Sequence, residues 1–109
     1  MLYKEFLVGN KEYKLRLRTR DVITVEKLIG CNPLSIFGTK GDEIPTVTTM
    51  VTIFHSALQA YEHGITLDRA YDIFDEWITE GHTITEFVPI ILELYKVSGL
   101  IKNDNTEKN

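Results

Sequence analysis

A chain of 109 residues, 43% hydrophobic and 26% charged, has the size and composition of one globular domain with its own core, which excludes an intrinsically disordered protein. Its formal net charge of −4 argues against general nucleic-acid binding, which needs a basic surface to neutralise phosphates. No apolar run approaches the roughly 20 residues that span a bilayer, and charges interrupt the start too early for a signal-peptide core.

The first element reads as a β-hairpin. Leu2 to Val8 is rich in apolar and aromatic residues, Gly9-Asn10 supplies turn chemistry, and Tyr13-Lys14-Leu15-Arg16-Leu17-Arg18 alternates apolar with basic. That period of two marks a half-buried strand. After Arg20 the period becomes helical, and four successive segments each end in glycine, at Gly30, Gly64, Gly81 and Gly99. The first helix is predicted from about Asp21 to Ile29, capped by Thr19 or Asp21. Asn32-Pro33 then predicts a cap and one short helical turn through Phe37. Gly38 to Glu43 is an exposed loop, too short to separate domains.

From Thr46 to His63, the residues Val47, Met50, Val51, Phe54, Ala57, Leu58 and Tyr61 make one helical stripe. From Leu67 to Glu80, capped by Thr66, the residues Leu67, Ala70, Tyr71, Phe74, Trp77 and Ile78 make a second. Core packing is preferred to a cofactor pocket as the reason for both.

The last helix, about Thr85 to Ser98, follows a capping-box pattern at Thr83-Ile84-Thr85-Glu86, with Thr85 as the other candidate cap. It has two apolar faces. One carries Ile84, Val88, Ile91, Leu92 and Tyr95; the other carries Phe87, Ile90, Leu94, Val97 and Ile101. A surface helix needs one such face for its core, so the second has to be covered by another element or by a partner. Pro89 kinks the helix unless it falls within the first turn. The expected fold is α+β and mostly helical: residues 1–101 form one domain, with a hairpin at 2–18 packed on about four helices in 21–99, and 102–109 form a disordered tail.

Few residues carry chemistry. The lone Cys31 can form no internal disulfide, which agrees with a reducing compartment, and it reads as a plain structural thiol. His55 and His63 lie roughly 12 Å apart along one helix, too far to share a metal. Asp72, Asp75 and Glu76 share a helix face and could hold a divalent cation, but no glycine-containing calcium loop accompanies them. Gly38-Thr39-Lys40-Gly41 lacks the spacing of a phosphate loop, and no serine or cysteine sits in a nucleophile motif. No catalytic set, metal site or cofactor is expected.

Three stretches carry a resemblance: Tyr13-Lys14-Leu15-Arg16-Leu17-Arg18-Thr19, then Val25-Glu26-Lys27-Leu28-Ile29-Gly30, then Asn32-Pro33-Leu34. Together they resemble the tail assembly chaperones of long-tailed phages and prophages of Gram-positive bacteria, with Cys31 standing where that pattern has a polar residue. The likeness extends in order and length to about Ile101. It implies a protein of the host bacterium's cytoplasm, absent from the mature virion. Its client would be the tape measure protein, kept soluble during tail assembly, with tail tube subunits and a longer frameshifted form as further partners.

Under that reading the face Phe87, Ile90, Leu94, Val97 and Ile101 grips the client, as in helix-in-groove recognition. Lys14, Arg16 and Arg18 of one copy would meet Asp72, Asp75 and Glu76 of the next in a head-to-tail oligomer. The alternative from another class is a small regulatory module that binds nucleic acid through Lys14, Arg16, Arg18 and Arg20.

Overall fold

A computed structural model describes residues 2–37 and 44–102. Strands β1 (Lys4–Val8) and β2 (Lys11–Leu15) pair antiparallel, with Lys4 opposite Leu15 and Val8 opposite Lys11. Gly9 has φ 60, and among the described residues only glycines take a positive φ, so Asn10 does not, the pattern of a type II′ turn with glycine first. Phe6, Val8, Tyr13 and Leu15 face inward and are buried. The strand is shorter than its alternation predicts. Arg16 to Arg18 would have to pair with residues before Lys4; instead the Arg16 amide bonds the Ala57 carbonyl at 3.0 Å. Leu17 nevertheless stays buried at 2% exposure, so the alternation gave its face correctly.

Helix α1 (Thr19–Ile29) starts two residues before the predicted boundary, with Arg18 as its N-cap. Asp21 is the third helical residue, and its carboxylate accepts from the Arg18 amide at 2.9 Å and from the Arg18 guanidinium at 2.8 and 3.1 Å. A side chain reaching back in this way satisfies the cap just as the expected cap side chain reaching forward would have done. Gly30 closes the helix at φ 77, and Asn32 caps a 3-10 turn at Pro33–Ser35 through Leu34 N–H. The expected loop at 38–43 and most of the expected tail, 103–109, lie outside the described residues.

Helix α2 (Val47–Leu58) is capped by Thr46 and ends earlier than its stripe suggests. Gln59 stops it: its amide donates to the His55 and Ile65 carbonyls, and its Oε1 accepts from Gly64 N–H. His55 Nε2 also lies 2.9 Å from the Ile65 carbonyl. Helix α3 (Leu67–Thr79) carries its predicted Thr66 cap, whose hydroxyl accepts from Arg69 N–H. A 3-10 turn at Ile84–Glu86 leads into α4 (Phe87–Val97). Pro89 is the third residue of α4, within the first turn, where its missing N–H costs no intrahelical bond.

The hairpin and the four helices share one core. At its centre the rings of Phe6, Phe54, Phe74, Trp77 and Phe87 meet edge-on or tilted, with centroids 5.1 to 6.1 Å apart. These geometries suit the ring quadrupole. One ring each from β1, α2 and α4 and two from α3 therefore lock the layers together. Arg16 closes the far end, donating to the carbonyls of Leu2 (2.8 Å) and Val97 (3.0 Å). A cation there also suits the negative end of α4. Tyr95 donates to the Pro33 carbonyl at 2.8 Å, and burial pushes its phenol well above its ordinary value, with the Cys31 thiol adding to the shift. Among the described residues no helix is long and apolar enough to cross a membrane.

Candidate functional site

Both apolar stripes of α2 and α3 are incompletely covered, and they are uncovered on the same side. On α2 the residues Met50, Phe54, Ala57 and Leu58 are fully buried, while Val47 is 45% exposed. On α3 the residues Ala70, Phe74 and Trp77 are buried, while Leu67 and Tyr71 are 41% and 47% exposed. Val47 and Tyr71 face each other across an open groove of about 400 Å³. Val51 and Phe74 form its floor, and Thr48, Thr52 and Asp75 line its rim. An apolar cleft with a few polar groups at the rim is the usual form of a docking site for a side chain or a helix face.

Of the residues lining the groove, Asp75 on the α3 side is the charged one. Asp68, Asp72 and Asp75 follow at i, i+4 and i+7, so they share one helix face with Tyr71. All three are exposed. No lysine, arginine or histidine lines the groove. Glu76, expected to act with Asp72 and Asp75, points elsewhere: its Oε2 lies 3.2 Å from where a side chain at Gly9 would begin, beside the hairpin turn. Among the described residues no group of three or more His, Cys, Asp or Glu side chains is placed to hold a metal ion.

The client-gripping face predicted on α4 does not form a surface. Phe87 and Leu94 are fully enclosed at 0% exposure, and Ile90, Val97 and Ile101 are half-buried against the same core. The reason is geometric. The buried set Phe87, Ile91, Leu94 and Tyr95 runs i, i+4, i+7 and i+8, one stripe along the seam between the two predicted faces, so it draws on both. Only Ile84 and Leu92, each 37% exposed, remain on the outside as large apolar side chains.

The basic strand is largely committed within the chain. Arg16 binds two carbonyls, and Arg18 is tied to Asp21, a contact that raises the Arg18 pKa further through their hydrogen bond. Lys14 sits over the rings of Tyr3 and Tyr61 at 5.0 and 5.8 Å. Of the four basic residues proposed for phosphate binding, only Lys14 and Arg20 are exposed, on different elements. That is too sparse for a phosphate-binding surface.

One polar cluster borders the ring core. His82 stacks flat on Trp77, with centroids 4.5 Å apart and planes 6° apart, and its Nδ1 lies 3.2 Å from Glu86 Oε1. The same oxygen accepts from Thr83 N–H at 2.9 Å. The Thr83 bond, opposed by desolvation and helped by His82, holds the Glu86 carboxyl below its ordinary 4.5. A carboxylate with a lowered folded value stabilises the fold above its unfolded value, and that contribution is lost as the pH falls through the lowered one. Glu86→Gln should therefore flatten the acid limb of the stability curve below pH 4.5, measured by urea unfolding at a series of pH values.

Fold and groove together define a small α+β protein built around a mostly helical core, with an open apolar groove between two of its helices. The chain belongs to the family of unknown function (DUF6096), whose model matches residues 2–109. Comparison with curated proteins gives no match, and neither does comparison with solved structures.

Proposed function

We propose that this protein is a phage tail assembly chaperone that holds helical segments of the tape measure protein in the groove between α2 and α3. The observation that supports docking at the groove is the coincidence of Val47 and Tyr71, apolar side chains left exposed at one cleft with Val51 and Phe74 beneath them. The choice of client is supported by the sequence resemblance over the strand, the Glu-Lys-x-apolar-Gly helix end and the Asn-Pro-Leu turn. An aggregation-prone helical client presents just the apolar helix face that such a cleft accepts. In this reading the protein works in the host cytoplasm, is left out of the virion, and could recruit tail tube subunits through its remaining surface.

The test is co-expression with a tape measure fragment. The fragment should gain solubility and co-elute with the chaperone on size exclusion. Tyr71→Glu and Val47→Glu, both at exposed positions, should leave the fold intact by circular dichroism. Each should weaken the complex by roughly tenfold or more, as for a central apolar anchor. Full retention of binding in both variants would remove the groove from the account. Absence of any complex with wild type would remove the client.

A further inference from the structure

The groove between α2 and α3 is electrically one-sided. Its α2 wall is neutral, with Thr48 and Thr52 beside Val47 and Val51, while its α3 wall is Tyr71, Phe74 and Asp75. Asp75 is exposed and forms no salt bridge with a described residue. Asp68 and Asp72, exposed on the same helix face, form none either, so they add to the field at Asp75 and do not cancel it. Arg69, the one cation on α3, stands six positions before Asp75, about 120° round the helix.

Tyr71 precedes Asp75 by one turn, roughly 6 Å along α3. An aromatic ring and an anion without an internal partner therefore stand side by side at the edge of the Val51–Phe74 floor. A cation arriving there is attracted by both, through charge at the carboxylate and through the ring quadrupole at Tyr71. An arriving carboxylate meets repulsion from Asp75, with no lysine, arginine or histidine in the lining to offset it.

We infer that the groove takes amphipathic helix segments that carry a lysine or arginine one turn from the apolar residue they insert, and that Asp75 selects them. This rests on the docking of a client helix proposed above and adds the chemistry by which one segment is preferred to another. The apolar anchor covers Val51 and Phe74. A client residue three or four positions from that anchor lies on the same face, about 5–6 Å away. From there a long cationic side chain lays its aliphatic stem along the apolar wall and brings its head to the Asp75 carboxylate. Because the α2 wall is neutral, the cation is drawn to the α3 side, which fixes how the client helix is rolled in the groove. Charge at such a rim sets orientation and discrimination more than total affinity, and the rejection of acidic segments is part of that discrimination.

Fluorescence anisotropy with three labelled peptides tests it. Each has about 18 residues, long enough to hold a helix, and all share one apolar face. They differ only in the residue one turn from the central leucine, which is lysine, glutamine or glutamate. The full wild-type chain should bind them in that order, with roughly tenfold between the first and the last at low salt. The gap should close in 1 M salt, where the Debye length is about 3 Å, while the apolar part of binding persists. Asp75→Asn should narrow the gap and Asp75→Lys should reverse the order, both with wild-type circular dichroism because the position is exposed. Equal binding of the three peptides to wild type, or an order unchanged in Asp75→Lys, would overturn the inference and leave docking at the groove standing. The glutamine peptide with Val47→Glu reads the docking itself. Binding as tight as to wild type would place the peptide elsewhere, and no binding of any peptide to wild type would remove docking and selection together.

Discussion

Phe87→Ala should destabilise the protein by about 3–5 kcal/mol, the range for removing a fully buried phenylalanine from a close-packed core. Phe87 is 0% exposed, and its ring lies within 5.1 to 5.8 Å of Phe6, Phe54, Phe74 and Trp77. Rings from β1, α2 and α3 thus lose a shared neighbour at once, and aromatic rings collapse poorly into a cavity. Against a total stability of roughly 5–15 kcal/mol for a domain of this kind, the variant should be marginal. Urea unfolding followed by tryptophan fluorescence reads both the loss and the altered Trp77 environment. A loss under about 1 kcal/mol would mean that the site relaxes freely, contrary to the packing described. Phe87→Glu would bury a charge at the same place, so lost client binding in that variant would report unfolding and say nothing about a gripping face.

Asp21→Ala should cost about 2 kcal/mol, combining a lost helix cap with lost hydrogen bonds to a charged group. The carboxylate is 5% exposed as a residue and takes one backbone and two guanidinium N–H bonds from Arg18. The backbone bond carries more of this effect than the ion pair, because the Arg18 side chain is 36% exposed and water screens it. Asp21→Asn keeps an acceptor for the Arg18 amide and should lose about half as much. An Asn variant as unstable as the Ala variant would show instead that the charge dominates. Both are measured by thermal and urea unfolding at neutral pH.

The α+β class, the hairpin with its two-residue turn and the order of the four helices were legible in the sequence. The reason is that local signals agree there: alternation over Tyr13 to Leu17, caps at Thr66 and Asn32, and glycine after α1. Element ends were harder. The cap of α1 is set by Asp21 reaching back to Arg18, and the end of α2 by Gln59 binding three backbone groups, and neither side-chain choice follows from periodicity. The site was harder still. Two apolar faces on α4 marked it as the element with a surface to spare, but the core takes the stripe along the seam between them, Phe87, Ile91, Leu94 and Tyr95. The useful signal lay in Val47 and Tyr71, which sit at the end or edge of the α2 and α3 stripes. Periodicity shows that such residues share a face; only the arrangement of neighbouring elements decides whether the face is covered. The basic strand posed the same difficulty, since Arg16 and Arg18 look like free surface charges until the carbonyls and the carboxylate that hold them are in place.

Tertiary placement thus moves the exposed apolar surface from α4 to the cleft between α2 and α3, and it ties Arg16 and Arg18 to partners within the chain. The central claim is that this cleft receives a client helix, and chemical-shift mapping tests it most directly. An isotope-labelled chain would be titrated with an unlabelled helical segment of the tape measure protein. The account predicts that the largest shifts fall on Val47, Val51, Tyr71 and Asp75, with α4 and the hairpin little changed. Shifts centred on Ile84 and Leu92 of the α4 side, or none at saturating peptide, would contradict it.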